Sequence, residues 1–196
     1  MENHNEDFEK IKAHLHEQGY HEKDVTITSG KAMTLGVFYA LPFVIVIGLL
    51  YRFFLVERAC LLEVSGLSFY IIFIAITAIS VVIHELLHGT GWAIASGKGW
   101  HVVRFHINAM MPCCACKAAL EKNSYLFGVL APFVVLGFGN VFFIFIYPGT
   151  VSFLTMIVNF ISAGADLMIA CNVLKEKGDV LIADHPKEAG YIAFYR

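Results

Sequence analysis

Four long apolar runs, residues 33–50, 66–95, 125–147 and 151–174, alternate with polar segments along the chain. At about 1.5 Å per residue, each makes a helix long enough to cross the roughly 30 Å hydrocarbon layer of a bilayer. The second run exceeds what a crossing needs, which predicts a tilted helix or one that leaves the bilayer near Trp92. Pro42 predicts a kink within the first run. Pro132 and nearby glycines predict a break in the third, and Pro148-Gly149-Thr150 a tight turn before the fourth. The fold expected from this pattern is all-α and integral to the membrane, with about four transmembrane helices.

Between the second and third runs the period of the pattern falls to two. Val103, Phe105 and Ile107 alternate with Val102, Arg104 and His106, and Pro112 separates them from a second β-like piece, residues 113–118. A small β-hairpin is expected here. Residues 1–32 form a polar N-terminal tail in which Phe8, Ile11 and Leu15 recur at helical spacing. They predict a short surface helix, with His14, His16 and His21 in solvent. This tail has no apolar core or cleavage site of a signal peptide, so the first span is expected to serve as its own insertion signal. Residues 175–196 read as a polar C-terminal tail, which leaves residues 33–174 as the membrane domain.

Composition sharpens the picture. With 58% hydrophobic and 15% charged residues among 196, the chain is too apolar for an ordinary soluble domain. A net charge of -2 and scattered basic residues exclude a nucleic-acid surface. With four spans, every Lys and Arg except Arg52 and Arg58 falls on the side of the two termini and the hairpin. The positive-inside rule makes that side cytoplasmic. Three of the five cysteines, Cys113, Cys114 and Cys116, crowd the hairpin, where they are expected to be small apolar residues rather than disulfide partners or metal ligands.

His84, Glu85, His88 and Asp166 bring ionisable chemistry into the apolar runs. The first three belong to His84-Glu85-Leu86-Leu87-His88, an HExxH element. On a helix the two histidines stand one turn apart on one face, so both imidazoles can reach one metal ion while Glu85 lies beside its open side. A charged group inside a bilayer costs about 2.5 to 3.5 kcal/mol on insertion scales, and a bound divalent cation offsets that for Glu85 and Asp166. Depth supports including Asp166. Counted from Gly97 and Lys175, His88 and Asp166 each lie nine residues in, about 13 Å at helical rise. Ala163, Gly164 and Ala165 give the fourth run a surface that permits close approach. The expected centre is Zn2+ held by His84, His88 and Asp166, with an open position for water and Glu85 as the base that activates it against a peptide bond. Asn159 and Ser162, on the same face of the fourth run, are candidates for binding substrate or oxyanion.

On His84-Glu85-Leu86-Leu87-His88-Gly89, Tyr125-Leu126, Ala131-Pro132 and Gly164-Ala165-Asp166-Leu167-Met168, the chain from about Ser80 to Lys175 resembles a family of bacterial membrane proteins. It is a domain-of-unknown-function family described as zincin peptidases, akin to the site-two proteases that cut within membranes. The resemblance implies a zinc metalloprotease of the bacterial plasma membrane acting on peptide or membrane-protein substrates. It carries the ligand roles to His84, His88 and Asp166 and the base to Glu85. The site-two pattern has Asn and Pro ahead of an Asp-Gly pair, whereas here Leu167 follows Asp166 and no Pro precedes it nearby. Site-two relatives also hold unfolded substrate against strands beside the active site, which makes Val103 and Phe105 candidate substrate-binding residues. The competing reading is a non-catalytic membrane protein whose metal site is structural, serving as a partner-binding or immunity factor. Glu85 favours the enzyme, because a structural site has no use for a base. A transporter is disfavoured by one cluster of ionisable groups in place of a relay.

Overall fold

Each apolar run folds as a helix, and the polar segments supply strands. The computed structural model describes residues 2–59, 64–108, 111–186 and 188–196. In chain order these form helix α1 (Glu2–Glu17), strand β1 (His21–Ile27), helices α2 (Ser29–Arg58) and α3 (Leu67–Ala95), and a hairpin of β2 (Val103–Asn108) and β3 (Met111–Cys116). Strand β4 (Leu120–Glu121), helices α4 (Lys122–Ile146) and α5 (Thr150–Lys175), and strands β5 (Val180–Asp184) and β6 (Ala189–Tyr195) follow. Helices α2 to α5 are long and apolar enough to cross a membrane.

Neither Pro42 nor Pro132 ends its helix. Helix α2 continues through Pro42. Helix α4 is not broken at Pro132 but passes into a wide π turn, Phe133–Phe138. The bond that Pro132 forfeits is to the Gly128 carbonyl four residues earlier, and that oxygen faces His88 Nδ1 instead. In α5 the helix is interrupted only at Ala163 (φ -79°, ψ 0°), between Thr150–Ser162 and Gly164–Lys175.

The hairpin forms as expected, pairing Val103 with Cys116 through to Asn108 with Met111. Its first residues differ, because Gly99–Val102 is a 3-10 turn rather than strand. A larger correction concerns the fold class. The protein is mostly helical but not all-α, because β1, β6, β5 and β4 form a second antiparallel sheet in that order. Residues from both ends of the chain meet there, with His21 opposite Tyr195 and Ile27 opposite Ala189. Tyr191, Ile192, Ala193 and Phe194 of β6 are buried, so this part of the C-terminal segment is core. Phe8 and Leu15 of α1 pack on Ala183, Ile192 and Phe194, as their spacing predicts.

Small residues set the two main helix crossings. A Cβ on Gly36 of α2 would lie 2.6 Å from the Ala165 nitrogen of α5, and one on Gly91 of α3 would lie 2.6 Å from the Gly128 Cα of α4. Only glycine permits backbones this close. At the end of α5, Glu176 joins the helix to the sheet. Its buried carboxylate accepts two bonds from the Lys23 ammonium, each 2.9 Å, one from the Tyr191 hydroxyl at 2.9 Å, and one from Tyr195. Burial opposes ionisation of this carboxyl, but those hydrogen bonds outweigh it and hold it below the usual glutamate range.

Candidate metal centre

Helix periodicity places His84 over His88 on α3, and the α2–α5 crossing sets Asp166 opposite them. His84 Nε2 lies 3.2 Å from His88 Nε2 and 3.1 Å from Asp166 Oδ2, and His88 Nε2 lies 3.5 Å from the same oxygen. All three side chains are largely buried. They are the group of His, Cys, Asp and Glu residues found able to hold one metal ion among the described residues.

Two features show that these groups fit zinc. Four-coordinate zinc with ligand bonds near 2.0 to 2.1 Å needs neighbouring ligand atoms about 3.3 Å apart, and the three observed separations bracket that value. The second is the protonation pattern. His88 Nδ1 lies 3.0 Å from the Gly128 carbonyl oxygen, which can only accept, so Nδ1 carries a proton and Nε2 is the nitrogen left to face Asp166 or a metal. The Gly91–Gly128 contact is what brings this carbonyl within reach, and Trp92 stacks on the other side of the ring at 5.4 Å and 16°.

Glu85 turns toward the hairpin, where its Oε2 accepts the Cys114 N–H at 2.5 Å. This N–H therefore points out of β3 and away from β2. Two residues on, the Cys116 N–H donates to Asp184 Oδ2 at 2.6 Å. Two residues before, Pro112 has no N–H to offer. The outward edge of β3 thus faces the acids of the site. Burial pushes the Asp184 carboxyl up to about 6, against the pull of the Cys116 amide and the Tyr125 hydroxyl. Burial also raises the Cys114 thiol and pushes Cys116 up to about 12, so both stay protonated at neutral pH and neither is a ready thiolate ligand.

A cavity of about 740 Å³ opens onto the cluster, walled by α2 to α5, the hairpin and the turn after β5. Asn159 and Ser162 both line it. Asn159 is 2% exposed and its Nδ2 has no hydrogen-bond partner, whereas the Ser162 hydroxyl donates to the Asn159 carbonyl at 3.0 Å. Val103 and Phe105 do not line the cavity. Their side chains lie over Gly89, where an added Cβ would come within 2.9 and 3.2 Å of them, so they pack on the helix beside His88. The hairpin meets the cavity mainly through β3, with His106 the one lining residue from β2. Sequence reasoning passed over three groups now seen there: the Cys114 amide, Tyr125 and Asp184. Only the pairing of distant segments reveals them.

A family sequence profile described as "Putative zincin peptidase" matches residues 77–181, from α3 through the hairpin to the start of β5. No curated protein and no solved structure matches the chain.

Proposed function

The chain belongs to this zincin peptidase family, and on that premise we propose that it is a zinc-dependent endopeptidase embedded in the membrane, akin to site-two proteases. The observation that carries the reading is the set of separations, 3.1, 3.2 and 3.5 Å, among His84 Nε2, His88 Nε2 and Asp166 Oδ2. These residues would hold the metal, and zinc bound there would supply a Lewis acid for a peptide carbonyl and for water. Glu85 takes the proton of the attacking water and returns it to the leaving amine. The Cys114 N–H fixes the direction from which its carboxylate works. Asn159 offers its unpartnered amide N–H to a substrate carbonyl inside the cavity.

An extended substrate has a natural partner in the outward edge of β3, where main-chain groups face the cavity. The bilayer is the other partner. Helices α2 to α5 present Phe38, Ile71, Ile74, Phe142 and Ile146 outward while Ser80, His84, His88 and Asn159 are buried. This distribution suits a hydrocarbon surround. The charge asymmetry supports an orientation with both termini and both sheets on the cytoplasmic face of a bacterial plasma membrane.

Replacing Glu85 by Ala separates catalysis from metal binding. In protein reconstituted in lipid, Glu85→Ala keeps zinc and loses about 10²- to 10⁴-fold in the rate of peptide hydrolysis. Unchanged biological function in cells carrying Glu85→Ala would favour the non-catalytic alternative, a structural metal site in a partner-binding or immunity protein.

A further inference from the structure

Asp184 ends β5, beyond the stretch that the family profile matches. Both of its carboxylate oxygens are engaged: Oδ1 accepts the Tyr125 hydroxyl at 2.5 Å and Oδ2 accepts the Cys116 N–H at 2.6 Å. Each partner leads to a different part of the site. From Cys116, β3 runs back two residues to Cys114, whose N–H holds Glu85. From Tyr125 the path goes through Trp92, whose indole N–H donates to the Tyr125 carbonyl at 3.1 Å and whose ring stacks on His88. Tyr125 is 1% exposed, so its hydroxyl has no access to bulk water in place of this carboxylate.

We propose that Asp184 is a positioning residue for the peptidase reaction, tying β3 and the Tyr125–Trp92 pair to one point so that Glu85 and His88 keep their places relative to each other. The reaction it serves rests on the reading above, but the contacts do not. A two-stranded hairpin is marginal by itself and needs an anchor, and β5 lies inside a four-stranded sheet. A carboxylate suits the anchor because it accepts at both oxygens, and charge-assisted bonds are roughly twice as strong as neutral ones. Asparagine would keep both partners only by turning the Tyr125 hydroxyl to accept from its NH2, in neutral bonds, whereas alanine leaves both donors without an acceptor. Through this one side chain the sheet built from both ends of the chain becomes part of the active machinery.

The test uses the full-length protein in lipid nanodiscs, with amide hydrogen exchange over residues 111–118 and the visible spectrum of Co2+ in place of zinc. Asp184→Ala is expected to speed exchange of the Cys114 and Cys116 amides about tenfold, the scale of one lost buried hydrogen bond. It should shift the cobalt bands while cobalt stays bound and exchange in β1 and β6 is unchanged. Asp184→Glu, which keeps two acceptor oxygens, restores much of the protection. Tyr125→Phe removes one hydroxyl and should shift the cobalt bands without loosening β3. Exchange of the Cys114 amide at the wild-type rate in Asp184→Ala would overturn the proposal, as would equal acceleration across β1 and β6, which marks a merely structural residue. Wild-type protein that takes up neither cobalt nor zinc would instead undo the peptidase reading, and the exchange result would still decide the role of Asp184.

Discussion

At the scale of single residues, buried carboxylates do most of the organising, and each is held by a different set of donors. Glu176 shows how this reaches stability. Its folded pKa lies below the ordinary glutamate value, so the stabilisation it brings is present above that value and is lost as pH falls through the folded pKa. Glu176→Gln should therefore lower stability at neutral pH by about 1 to 3 kcal/mol, the range for charge-assisted hydrogen bonds. The difference from wild type should shrink below about pH 4, which chemical denaturation in detergent at several pH values measures. His84, Glu85, His88 and Asp166 were legible in the sequence because ionisable groups in apolar runs need a reason to be there. Asp184 was not. In a polar-looking tail it resembles any loop acid, and its partners Tyr125 and Cys116 lie 59 and 68 positions away.

Among elements, the helices were readable because an apolar run of that length has one stable form in a bilayer. The four-stranded sheet was hidden for the opposite reason. Strand β1 reads His-Glu-Lys-Asp-Val-Thr-Ile, whose first four residues stay exposed, and its partner lies at the far end of the chain. Alternation cannot announce a strand whose stability comes from so distant a neighbour. Helix crossings carry the prediction at this scale. Gly36→Val would drive a side chain into the backbone of α5 at Ala165, one residue before Asp166, whereas Gly48→Val meets open space. The first should cost about 1 to 3 kcal/mol as overpacking and weaken metal binding, while the second leaves both nearly unchanged. Thermal unfolding and zinc titration of the two variants check this. Equal behaviour would mean that the α2–α5 crossing does not set the position of Asp166.

Taken whole, the molecule joins an apolar helical bundle to a sheet made from its two ends, with the cavity between the hairpin, the turn after β5 and helices α2 to α5. The interior of the bundle is otherwise mostly apolar, so the cluster of two imidazoles and a carboxylate is the feature that most needs an occupant. The central claim is that this occupant is zinc, and metal analysis of the purified protein tests it most directly. Wild-type protein is predicted to carry one zinc per chain, and His88→Ala and Asp166→Ala to lose it while staying folded. Wild-type protein that binds no zinc, or an Asp166→Ala variant that binds it as tightly as wild type, would contradict the account.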